Sequence, residues 1–229
     1  MLDEYELMKV TRPIFTNQIT DEYDMPVMRK VMEEDIDIEN ALPLNIQNLK
    51  KESNNSNKIL IPFNYDKRLL KYWNDPLRYI PLFKTVMAIG TPDYSVYQIS
   101  SKNEIRHNVF MNRWLGCLWQ EYGCTAIPTI SWSGEETYNI CFSGVEAGGI
   151  VLISTIGVST NQQLFLKGFN EMKRRIKPSL IIVVGDMIPG MTGRFINYTY
   201  TDCFNKKKEK YYMEKLFDIS PIFEIKEEK

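Results

Sequence analysis

Two aspartates stand where strand-ending loops should lie, and a carboxylate there could serve as a general base or hold a divalent cation. Asp93 follows an apolar run over residues 85–90, behind Thr91-Pro92 and ahead of Tyr94-Ser95. Asp186 follows Gly185, at the end of the apolar run over residues 180–184. Both are catalytic candidates, and the two could share one metal, although nothing in their spacing demands it. The competing role for each is local, because aspartates in turns often bond their own backbone. No cofactor is indicated.

Around these acids lies a set of candidate ligand-binding residues. Ser95 and Tyr97 follow the same run as Asp93. Trp132, between Ser131 and Ser133, could stack on a base or fill a core. Ser154 and Thr155, with Gly157 beyond, could bind an anion ahead of a helix or simply cap it. Arg106 and Arg113 flank the sole histidine, His107, and could contact phosphate. With one histidine, neither a serine-type triad nor a histidine-rich metal centre is expected. The four cysteines form no Cys-x-x-Cys pair, so neither zinc nor an iron–sulfur cluster is indicated, and reduced, buried thiols are expected. The run Gly185 to Thr192 has the glycine spacing of a phosphate loop, but Met191 stands where the lysine would be.

The elements that must position these residues alternate. Continuous apolar runs over 85–90, 125–130, 138–142, 150–156 and 180–184 predict five strands, the second interrupted by Pro128. Helical periodicity predicts helices over 105–122 and 161–177, ended by Gly123 and Pro178. Strands alternating with helices argue for an α/β fold, a mainly parallel sheet with flanking helices. The pattern leaves open whether the sheet is open or curls into a partial β/α barrel. In either case ligands bind beyond the carboxyl ends of the strands, which is where the candidate residues collect.

All 12 glycines lie between Gly90 and Gly193. On that boundary residues 1–80 read as an irregular acidic N-terminal arm and linker, 81–200 as the α/β core, and 201–229 as a charged tail packed on it. The polar stretch 50–58 reads as a loop. The lysine-rich run 206–212 reads as a solvated helix or, less simply, a phosphate-contacting patch. The formal net charge is −1, but residues 1–40 carry 11 acidic and 4 basic side chains, and residues 41–90 carry 3 and 8. Such balance gives no overall attraction to nucleic acid. No run is long enough to span a bilayer, and the acidic N-terminus does not resemble a secretory signal. A cytoplasmic protein with no membrane partner is expected.

The runs Pro92-Asp93-Tyr94-Ser95-Val96-Tyr97, Asn112-Arg113-Trp114-Leu115-Gly116 and Ile127-Pro128-Thr129-Ile130-Ser131-Trp132 come in a distinctive order. Cys141-Phe142-Ser143-Gly144 and Ser154-Thr155-Ile156-Gly157 follow them. Over roughly residues 60–186 this order resembles domain-of-unknown-function family 4417. The resemblance implies a bacterial, phage or mobile-element setting and no particular reaction. Two functions are expected from it and from the residues above. One is an accessory protein acting on nucleic acid or nucleotides through the strand-end pocket. The other is a non-catalytic inhibitor or adaptor that binds a host protein through the acidic arm.

Overall fold

Seven short strands, all parallel, carry the fold in the computed structural model, which describes residues 3–15, 18–50, 53–158 and 161–204. β1 (Leu42–Asn45), β2 (Lys58–Ile61), β3 (Ala88–Gly90) and β4 (Ala126–Ile127) form one sheet in chain order. β5 (Ile150–Ser154), β6 (Leu180–Val184) and β7 (Phe195–Tyr198) form a second. A parallel bridge from Thr129 to Leu152 joins them. Ile130 N–H donates to Leu152 O at 2.8 Å, and Leu152 N–H to Pro128 O at 3.0 Å. The result is the expected α/β class, and the described strands do not close into a barrel.

Period-two alternation sorts the strand residues between two faces. Ile59, Ile61, Ala88, Ile127, Ile150, Leu152, Leu180, Ile182 and Val184 meet in one inward cluster. Their neighbours Leu60, Ile89 and Ala126 face one outer core, and Val151, Ile153, Ile181 and Val183 another. Burial on both faces explains why these strands are apolar throughout. α1 (Glu4–Val10), α2 (Asp66–Asn74), α3 (Ile80–Phe83) and α4 (Lys102–Glu121) contribute to the first outer core. α4 also reaches the second, with α5 (Tyr138–Cys141) and α6 (Gln162–Ile176). Ser101 caps α4 by accepting from Glu104 N–H at 3.1 Å. The short α7 (Tyr200–Cys203) follows β7.

Several expectations are corrected. Residues 138–142 form no strand; a 3-10 turn, Glu135–Thr137, runs directly into α5. Tyr138, Cys141 and Phe142 are buried while Asn139 is exposed. That i, i+3, i+4 pattern is helical, and the segment is too short for it to be distinguished from alternation. The strands expected over 85–90 and 125–130 shrink to three and two residues, since Pro128 ends the second. The segment read as a lead-in supplies β1, β2, α2 and α3. Residues 18–41 also pack closely, burying Met25, Met28, Val31 and Ile36. Asp21 clasps that segment to the core, accepting from Tyr23 N–H, Met25 N–H and Gly144 N–H. Beyond the expected tail boundary, Phe204 is buried in the inward cluster; the run 206–212 lies outside the described residues.

Gly90 marks how tightly the interior closes. A Cβ there would stand 2.5 Å from Leu152 Cδ2 and 2.8 Å from Pro62 Cδ. Gly90→Ala is expected to cost about 1–3 kcal/mol by overpacking, read as a lowered urea midpoint at unchanged slope. An unshifted midpoint would show that Leu152 can yield.

Candidate functional site

The loops beyond β3 and β4 are held from beneath by two adjacent side chains of α4. Asn112 Nδ2 donates to Pro92 O at 2.8 Å and Thr129 O at 3.3 Å, and its Oδ1 accepts from Thr91 Oγ1 at 2.8 Å. Thr129 N–H donates to Thr91 Oγ1 at 2.9 Å. Arg113 donates through Nε to Ser143 O at 2.9 Å, through Nη2 to Cys141 O at 2.8 Å, and through Nη1 to Thr129 O at 3.1 Å and Asn112 Oδ1 at 2.5 Å. Arg113 is fully buried, and burial pushes its guanidinium pKa down to about 10. It is an internal strut, not a lining residue. Asp93 and Ser131 each stand one or two residues beyond the groups these bonds fix.

Above this network opens a cleft of about 670 Å³, at the carboxyl ends of β2 to β5. Its walls are aromatic: Phe63, Tyr65, Tyr97, Trp132, Phe165, Tyr200 and Phe204. Trp132 packs on Phe165 and Phe142, with ring centres 5.0 and 5.8 Å away. Gly168 of α6 makes room for it, since a Cβ there would lie 2.1 Å from Trp132 Nε1. The polar lining comprises Asn64, Asp66, Lys67, Asp93, Ser95, Ser131 and Ser154.

Asp93 is the chemically unusual member. Part of the residue is exposed, yet Oδ1 is sealed from solvent without a hydrogen-bond partner. Burial, reinforced by the nearby charge of Asp66, pushes its carboxyl up to about 7, against opposing pulls from the Ser131 hydroxyl and Arg113. A group titrating there is suited to exchange protons at neutral pH. Asp66 opens α2 and accepts from Ser95 N–H at 3.1 Å and from Ser95 Oγ at 3.1 Å. Burial raises its pKa too, partly offset by the Ser95 bonds.

Five candidates read from the sequence therefore meet in one place: Asp93, Ser95, Tyr97, Trp132 and Ser154. The others lie elsewhere. Asp186 is exposed and outside the cleft. Thr155 is buried, with its hydroxyl directed to Val184 O at 3.4 Å. Arg106 is exposed on α4 and donates to Tyr23 O at 3.2 Å. Ser154 Oγ accepts from Ile156 N–H at 3.1 Å, so part of its capacity is spent on its own turn. Asp66 was not anticipated. Its signal was an aspartate opening an amphipathic helix just after the apolar triplet Ile59-Leu60-Ile61, in a segment read as a linker. No group of three or more metal-ligating side chains occurs among the described residues, and none of their helices is long and apolar enough to cross a membrane.

Two stability measurements follow. The folded pKa of Asp93 lies above the roughly 3.9 of an unfolded chain. Its contribution to stability is therefore complete below about pH 4 and lost as pH rises through about 7. Asp93→Asn should raise the thermal midpoint by a few degrees at pH 8, on the order of 2 kcal/mol, and change it little at pH 4. An equal effect at both pH values would show that the carboxyl is not strained. Gly168→Ala should destabilise the protein and shift its tryptophan emission, despite a gain of about 1 kcal/mol in helix propensity. A net stabilisation would mean that the Trp132 indole moves aside freely.

Comparisons with known proteins find phage-encoded relatives. Over 125 residues the chain is 34% identical to the Gene 1 protein of Mycobacterium phage L5, covering 53% of this chain and 55% of that one. Over 123 residues it is 33% identical to the Gene 1 protein of Mycobacterium phage D29, covering 52% and 46%. The chain thus spans about half the length of these relatives. No solved structure matches it. A family model described as Domain of unknown function (DUF4417) matches residues 18–201, taking in the clasped N-terminal segment and every strand. The chain belongs to the DUF4417 family, whose function is unknown, and has phage-encoded relatives.

Proposed function

We propose that this is a phage or mobile-element accessory protein whose strand-end cleft receives the base of a nucleotide, or an unpaired base of a nucleic acid, and acts on it there. One observation carries the reading: an aromatic-walled cleft of about 670 Å³ has in its lining Asp93, whose carboxyl burial pushes up to about 7. Planar rings suit such walls, because every base offers a π-face for stacking. Trp132 and Tyr97 are the stacking surfaces, and the Ser131 hydroxyl is an adjustable hydrogen-bonding group, while the Ser95 and Ser154 hydroxyls donate to Asp66 and Val184 O. Asp93, titrating near neutrality, takes or returns a proton, and Asp66 beside it disfavours a second full charge. The exposed Lys67 is the cationic lining residue nearest to hand for a phosphate at the mouth.

The test is a fluorescence titration of the full chain with short single-stranded DNA and with mononucleotides. Trp132→Ala should weaken binding by about 1–3 kcal/mol, roughly 5- to 150-fold. Asp93→Ala should also weaken it, with thermal unfolding intact. Undiminished binding in both variants would overturn the reading.

The alternative is an adaptor that presents the acidic arm to a host protein. The exposed carboxylates of Glu22, Asp24, Glu34 and Glu39 favour it. Deleting residues 1–40 cannot test it, since Met25, Met28 and Val31 belong to the cores. Charge reversal at Glu22, Glu34 and Glu39 is the appropriate variant.

A further inference from the structure

We infer that the ligand of the cleft is a single nucleic-acid strand rather than a free nucleotide, its phosphates carried along a row of cations that leaves the cleft mouth over α2: Lys67, Arg68, Lys71 and Arg78. This rests on the base-binding reading above, which it extends to a substrate class. A base in the cleft brings its phosphate to Lys67, exposed in the lining. The next phosphates of a strand then follow the helix.

The four cations are contiguous. Lys67 and Lys71 stand four residues apart on α2, on one helical face with about 5–6 Å between their Cβ atoms. Arg68 is anchored to the mouth. Its Nη1 donates to Asn64 Oδ1 at 3.3 Å and its guanidinium lies 5.4 Å from the centre of the Tyr65 ring, and both partners line the cleft. Lys71 and Arg78 meet over one ring, Tyr79, at 5.5 and 5.8 Å from its centre. Tyr65 and Tyr79 are half-buried, so aromatic surface alternates with positive charge along the row, the combination that holds single strands.

The charge of the row is not matched from within the protein. Residues 58–90 carry six basic side chains and two carboxylates, Asp66 and Asp75. Each acid accepts from a neutral donor, Asp66 from Ser95 and Asp75 from the Tyr5 hydroxyl at 3.0 Å. Among the described residues no ion pair forms at Lys67, Lys71 or Arg78, whereas Arg29, Lys30 and Lys167 face Glu121, Glu146 and Glu135. Lys71 instead has a like charge beside it: burial lowers its pKa and Arg68 lowers it further. An anion laid across the two relieves that repulsion. A strand gains at each phosphate by releasing counterions, and a mononucleotide has phosphate for the start of the row only.

Anisotropy titrations of the full chain test this, with labelled oligo-dT and oligo-U strands of increasing length, a duplex and a competing mononucleotide. Affinity should rise with strand length until the row is filled, and binding of either sugar supports the row. With four phosphate contacts, log K should fall with log salt at a slope of about −3, roughly a 50-fold loss between 50 and 200 mM. Lys71→Gln and Arg78→Gln should each weaken strand binding severalfold and flatten that slope by about 0.7. A duplex of equal length should bind more weakly, because it offers the cleft no unpaired base. If strands bind no more tightly than the mononucleotide, if the duplex equals the strand, or if both variants leave affinity and slope unchanged, the inference falls while base binding stands. If the variants weaken strand binding but Trp132→Ala does not, the base-binding reading falls and the phosphate row stands. The length and salt series use the unaltered protein and do not depend on how a variant folds.

Discussion

A positive charge buried among carbonyl oxygens holds the cleft end of this molecule together. Arg113 is sealed from solvent and hydrogen-bonds Ser143 O, Thr129 O, Cys141 O and Asn112 Oδ1, all neutral acceptors. Burying a guanidinium without a carboxylate against it is expensive unless its donors are well used. Here the bonds draw three otherwise separate pieces of backbone to one point. The end of β4, the turn after α5 and, through Asn112, the loop after β3 are tied to a single helix. Small, polar or bent residues surround it for the same reason. Gly144 adopts φ +69° beside the Arg113 side chain, and a Cβ there would lie 2.9 Å from Arg113 Cγ.

The cleft inherits its character from that anchoring. Strands of two to five residues leave their carboxyl ends close together, and the loops beyond them have no regular hydrogen bonding of their own. Held from beneath, they can keep Asp93 in a position that burial makes unfavourable for a carboxylate. A carboxyl buried in this way costs stability at neutral pH, because its ionised form is disfavoured in the folded state. The aromatic walls come from every side of the cleft, including the loop after β2 and the segment around α7.

The legible parts of the sequence were those with local signals. β6 was readable because Leu180–Val184 is apolar without interruption and buried at every position. α6 was readable from the periodicity of Phe165, Phe169, Met172 and Ile176 and from its caps. β1, β2 and β7 were not. They are four residues each, too short for a periodic signal, and form only because a parallel neighbour satisfies their backbone groups. The α5 segment misled because five residues can satisfy both periods. Among the site residues, Asp93, Ser95, Tyr97, Trp132 and Ser154 could be found from one rule about strand ends. Asp66 could not, because the strand that delivers it had not been recognised.

The sequence by itself determined the α/β class, the parallel order of its later strands, and the end of the sheet at which polar residues would gather. Those properties follow from hydrophobic period and from the chirality of the chain, both of which act over a few residues. Only the tertiary structure decided that Arg113 faces inward and Arg106 outward, that Asp186 stands apart from Asp93, and that Asp66, 27 positions earlier, is the acid facing the same cleft. These outcomes depend on burial and on which loops meet in space, and no local pattern in the chain encodes either.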